Sequence, residues 1–136
     1  MKSVSLTNRQ LSASMDAIGV ISKLREGIPP ENLNKLVRYL RKIDDALNDF
    51  NKANQLLLLE HWREGKDGVR AEEFSPKDPA AWHVASYAFY ATQIEIGIPA
   101  VELGFFGPSA KLNAGQRMAL DWWVKTPEDS DETASE

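Results

Sequence analysis

The stretch 30-PENLNKLVRYLRKIDDALNDFNKANQLLLLEHWREG-65 decides the fold. Within it Leu33, Leu36, Leu40, Ile43, Leu47, Phe50, Asn54 and Leu57 follow one another at alternating steps of three and four. Such a repeat keeps one seam of an α-helix turned toward a partner, and it predicts lengthwise packing as a coiled coil or helical hairpin. Pro29 disfavours helix before it and Pro30 suits a first helical turn, so the helix should run from about Pro30 to Arg63 or Glu64. At ~1.5 Å per residue it would reach roughly 50 Å, more than a preceding helix of about twenty residues can cover. Either a third segment or another copy of the chain has to cover the rest. Asn54 is the polar member of the ladder. It either fixes register and oligomer state or lies at a splayed end of the pair.

Upstream, a first helix is expected to begin near Ser5-Leu6-Thr7-Asn8, with Thr7 or Asn8 as its cap, and to run to Glu26 before Gly27. Leu11, Met15, Ile18, Ile21 and Leu24 would form its apolar face, while Gly19 inside it costs ~1 kcal/mol relative to Ala. Downstream, Asp67-Gly68 signals a turn and Val69-Arg70-Ala71-Glu72 a short extended piece. Asp78 as N-cap and Pro79 at the first helical position open a third helix, from Ala80 to about Thr92. Its Trp82, Tyr87, Phe89 and Tyr90 stand among Ala85, Ser86, Ala88 and Ala91, a composition suited to dense packing against the hairpin. Ile94, Ile96 and Ile98 then alternate with Glu95 and Gly97, the period of a strand. Pro99 confines it to an edge strand or an extended arm reaching Leu103. A loop carries Phe105 and Phe106, and a short closing helix from Gln116 to Val124 carries Leu120, Trp122 and Trp123. There is no internal repeat. The expected fold is mainly α: a long antiparallel helical hairpin with a third packed helix and a short extended β arm. Residues 1–125 would form a single helical domain.

The chain has 136 residues, is 43% hydrophobic and contains four Trp, enough for a core of its own. It has no cysteine, which excludes disulfides, thiolate metal sites and cysteine nucleophiles. The N-terminal MKSVSLTNRQLSASM has no apolar stretch of the signal-peptide kind, and the longest apolar run of the main helix, Leu56 to Leu59, is far short of a membrane span. A cytoplasmic location and no membrane partner follow as expectations. The net charge of −4 is unevenly distributed. Residues 126–136, TPEDSDETASE, hold five acids and no base, and the body before them carries 15 acids and 16 bases. The tail has nothing to bury and is expected to be disordered, serving solubility or docking to a basic partner.

Few residues invite chemistry. His61 and His83 are the only histidines; with Glu64 they could form a metal site, but no metalloprotease spacing is present. His61 falls at the next ladder position after Leu57, near the wet end of the helix pair. Asp44, Asp45 and Asp49 are ordinary carboxylates for a solvated helix face. Lys35, Arg38, Arg41 and Lys42 could touch phosphates, but Glu31, Asp44 and Asp45 frame them and no nucleic-acid module is recognisable, so nucleic acid is disfavoured as a partner. Gly104-Phe-Phe-Gly107 is neither a phosphate loop nor a dinucleotide fingerprint, and no nucleophile elbow appears. Phe105, Phe106, Trp122 and Trp123 are either core or a partner hot spot.

The order of parts is a helix opening Leu6-Thr-Asn-Arg-Gln, a Pro break, a long helix, an Asp67-Gly68 turn, an Ile94-to-Val101 arm and a terminal Ala119-Leu-Asp-Trp-Trp-Val124. It resembles small uncharacterised proteins of tailed bacteriophages and prophages. The resemblance spans most of residues 5–124 and implies a phage accessory or assembly protein, cytoplasmic in the infected host, with no catalytic residue to carry over. The resulting expectation is a non-enzymatic viral protein acting by protein–protein interaction and self-association, with no catalytic residue, cofactor or metal. Leu40, Ile43, Leu47, Phe50, Asn54 and Leu57, together with Phe105, Phe106, Trp122 and Trp123, are its candidate interaction residues. Its partners would be further copies of itself and a host or virion protein. The alternative is a small regulator or inhibitor that binds a host protein or nucleic acid through the basic helix flank or the acidic tail.

Overall fold

The computed structural model describes residues 3–24, 26–65, 73–107 and 112–125. The Asp67-Gly68 turn, the extended piece at 69–72 and the acidic tail at 126–136 lie outside them. The described chain is mainly helical, with two small β-ribbons. In order, the elements are β1 (Val4–Thr7), α1 (Asn8–Ala13), α2 (Met15–Ser22), α3 (Pro30–His61), α4 (Pro79–Ala91), β2 (Gln93–Ile96), β3 (Val101–Glu102), a 3-10 turn (Leu103–Phe106), α5 (Ala114–Ala119) and β4 (Val124–Lys125).

The first expected helix is instead a strand and two short helices. Val4 and Leu6 are buried while Ser5 is exposed, the alternation of a strand with one face on the core. β1 pairs antiparallel with β2, Val4 opposite Ile96 and Leu6 opposite Ile94. Thr7 ends the strand and caps α1. Its hydroxyl accepts from the Gln10 amide at 3.1 Å, and its own amide donates to Gln10 Oε1 at 2.7 Å. The helix breaks at Ser14, whose hydroxyl donates to the Leu11 carbonyl at 2.8 Å from a fully buried position, a local bond that competes with helix continuation. The chain resumes as α2, which ends at Ser22 with Lys23 as its C-cap, and Gly27 beyond it sits at φ +83°.

α3 begins at Pro30 as the Pro-Pro break requires and runs for 32 residues to His61. At ~1.5 Å per residue it is roughly 48 Å long. Its N-terminal two-thirds lies on the core: Leu36, Tyr39, Ile43 and Phe50 are buried, and Leu40 and Leu47 pack against them. α4 returns alongside the C-terminal part. Phe50 stacks on Phe89 with centroids 5.4 Å apart, and His61 meets Trp82 at 5.5 Å, so the two helices are antiparallel. Asp78 and Pro79 open α4 as expected, the Asp78 carboxylate accepting from the Ala80 and Ala81 amides at 3.1 and 3.2 Å. At the far end Trp62, Phe74 and Trp82 form a satellite aromatic cluster, with centroids 5.2 and 4.7 Å apart. The backbone around it is closed by Arg63 N–H to Ser75 O (2.7 Å) and Lys77 N–H to His61 O (2.9 Å).

The Ile94–Leu103 segment is not a free arm. β2 is paired with β1, Ile96 and Ile98 are buried, and β3 pairs in parallel with β4, Val101 opposite Val124. The last helix is shorter than expected, Ala114–Ala119 rather than Gln116–Val124. It is capped by Asn113 and followed by a turn that drops Leu120, Trp122 and Trp123 into the core. Phe106 and Trp123 are both fully buried and meet edge to face at 5.5 Å.

Candidate functional site

Exposed large hydrophobic residues occur in two places: Met15, Leu33, Val37 and Met118 on the body, and Leu56, Leu59, Val84 and Tyr87 on α4 and the end of α3. α4, PAAWHVASYAFYA, contains no acidic residue, no lysine and no arginine, yet none of its residues is buried. Trp82, Phe89 and Tyr90 turn toward α3 and are half-buried. On the other side Val84 is 69% and Tyr87 64% exposed. Ala80, Val84, Tyr87 and Ala91 recur at steps of four, three and four, so they share one exposed helical face. Near the end of α3, Leu56 is 69% and Leu59 45% exposed. Single exposed apolar residues are ordinary; here Val84 and Tyr87 stand on adjacent turns of a helix with no charged residue between Pro79 and Ala91.

Of the ladder residues expected to mediate interaction, Ile43 and Phe50 are buried within the chain, and Leu40 and Leu47 are half-buried on the same core. Leu40 and Leu47 also line a trough of about 510 Å³ between α2 and α3, open at Met15 and Val37 and edged by Arg41 and Asp44. Asn54 and Leu57 are half-buried where α3 leaves the body, and Leu33 is exposed. Phe106, Trp122 and Trp123 require correction as interaction residues: they are buried in the core, out of reach of a partner, because the turn after α5 folds them inward. Phe105 is half-buried and stacks on Tyr39 at 5.8 Å. Among the described residues the buried indole N–H groups of Trp122 and Trp123 meet no acceptor.

The remaining chemistry-bearing residues do not converge. His61 packs its ring on Trp82, and His83 is exposed on α4. Among the described residues no group of three or more His, Asp or Glu is placed to hold a metal ion. Lys35, Arg38 and Arg41 are exposed, but Lys42, the fourth member of the basic stretch, donates its ammonium to the Gly97 carbonyl at 3.0 Å and ties α3 to the segment after β2. No described helix is long and apolar enough to cross a membrane. No protein-family model matches the chain, and neither does any curated protein or solved structure.

Proposed function

We propose that the protein is a non-enzymatic accessory or assembly protein that acts by self-association, with α3 and α4 as its assembly element. The observation that carries this reading is the charge-free, exposed face of α4. In this reading α3 and α4 form a long antiparallel hairpin, and the same hairpin of a second copy completes it as a four-helix arrangement about a two-fold axis. A charged face would repel its own copy across such an axis. The face of Ala80, Val84, Tyr87 and Ala91 carries nothing to repel, and Tyr87 supplies the kind of aromatic anchor that dominates interfaces. Membership among phage or prophage proteins rests on the sequence resemblance alone.

The lack of any cysteine makes the test clean. Val84→Cys places a thiol at the centre of the proposed contact, and Met118→Cys places one at a 74% exposed position on α5. Mild oxidation is expected to convert the first variant into a covalent dimer and leave the second monomeric on a non-reducing gel. Equal cross-linking of both, or of neither, would contradict the two-fold contact through α4.

A further inference from the structure

We propose that the solvent-facing stripe of α3 is a second self-contact, in which two copies of the chain lie antiparallel along α3 and pair their charges about a two-fold axis level with Ile43. The charges of this helix are sorted by sign. Residues 35–42, KLVRYLRK, hold four bases and no acid, and residues 43–51, IDDALNDFN, hold three acids and no base. Arg38, Arg41, Asp44 and Asp45 are all exposed, on the side of α3 turned away from the buried Leu36, Tyr39, Ile43 and Phe50. Among the described residues none of these four has an ion-pair or hydrogen-bonding partner, although residues of opposite sign stand three and four positions away on the same helix. Asn34, Val37 and Asn48 are exposed as well, so the stripe is open along its length. Lys42 is turned to its flank, where the ammonium donates to the Gly97 carbonyl at 3.0 Å.

The order of the signs selects the partner. A parallel copy would set arginine against arginine and aspartate against aspartate. An antiparallel copy reverses the order. With the axis level with Ile43, Arg41 of each copy stands opposite Asp45 of the other, Arg38 opposite Asn48, Val37 opposite Asp49 and Asn34 opposite Lys52. No charged residue of the stripe then faces its own sign. Flanking charges set the orientation of coiled-coil partners in the same way. The body before the acidic tail carries 15 acids and 16 bases, so its net charge does not oppose the approach of a copy. Val37, 54% exposed, stands in the stripe, and Met15 borders it across the trough between α2 and α3, which adds apolar surface to the contact. This contact lies on the N-terminal two-thirds of α3 and shares no residue with the α4 face, so it goes beyond the α4 contact and stands or falls separately. Two different two-fold contacts on one chain build assemblies larger than a dimer.

Exposed ion pairs are individually weak and screened by salt, so the test compares the solution mass of the full chain at two salt concentrations and one high protein concentration. At ~1 M salt, where charges act over roughly 3 Å, the mass reports the α4 contact alone. At ~0.01 M, where they act over roughly 30 Å, the mass is expected to be twice that value. Arg38→Glu with Arg41→Glu sets acid against acid beside the axis, and Asp44→Lys with Asp45→Lys sets base against base. All four positions are exposed, so both variants should keep the melting temperature. Neither should gain mass when the salt is lowered, whereas an equimolar mixture of the two should double its mass as the unaltered chain does. An unaltered chain with the same mass at both salt concentrations, doubling by either variant alone, or a mixture that does not double would overturn the proposal. A monomer at high salt that doubles at low salt would refute the α4 contact and support this one.

Discussion

Two glycines show how differently one residue type can be constrained. Gly107 sits at φ +89°, and a Cβ there would overlap the backbone carbonyl of Gly27, itself at a positive φ. The close approach of these two backbones fastens the segment before α3 to the 3-10 turn that carries Phe105 and Phe106. Gly107→Ala meets both the left-handed penalty and a backbone that cannot yield, so we expect it to destabilise the fold by about 2–3 kcal/mol, read as a lowered denaturant midpoint. Gly19 lies inside α2 with no atom within 4 Å of an added Cβ. Gly19→Ala should therefore stabilise by about 0.5–1 kcal/mol in the same assay, because it restores helix propensity at no steric cost. If the two substitutions had similar effects, the described packing around Gly27 and Gly107 would be wrong. Only part of this contrast is visible in the sequence. Gly19 reads as a weak point in a helix, but the pairing of Gly27 with Gly107 joins positions 80 residues apart and has no local signature.

At the scale of elements, what was legible is what is local. The start of α3 at Pro30 and the start of α4 at Asp78-Pro79 follow from caps and ring geometry within a few residues, and both are found where the sequence places them. The ladder from Leu36 to Phe50 likewise picks the face of α3 that meets the core. β1 was hidden because VSLT is four residues long and its partner is β2, about ninety residues away; without that pairing the segment reads as the lead-in to a helix. The α4 surface could have been found. The absence of charge from Pro79 to Ala91 is plain in the sequence, but its aromatics read as core, whereas Tyr87 points away from α3. α4 has no buried residue, and its start is held by the Asp78 cap together with Trp82 against His61 and Phe74. Asp78→Ala should cost about 1 kcal/mol. The loss should appear as faster amide exchange confined to α4, with the middle of α3 unchanged; uniform loss of protection would mean that α4 is integral to the core.

For the whole molecule, the arrangement is a body of α1, α2, the first two-thirds of α3 and the two ribbons, on which the C-terminal half of α4 rests through Phe89 and Tyr90, while the start of α4 and the end of α3 extend beyond it. The body has its own core, closed by Phe106, Leu120 and Trp123, all fully buried. The end of α3 and α4 keep Leu56, Leu59, Val84 and Tyr87 in solvent. Two-layer packing around one core is the usual requirement for stable helices; α4 is covered by α3 and, at its C-terminal end, by α1, which leaves the Val84 and Tyr87 face open. A second copy would supply the other side. The decisive measurement is the solution mass of the full chain by light scattering across a concentration series. We expect a dimer of twice 15.2 kDa that dissociates only on dilution and persists in high salt, as apolar burial requires. A monomer at every concentration would contradict self-association and leave the α4 face to a different protein.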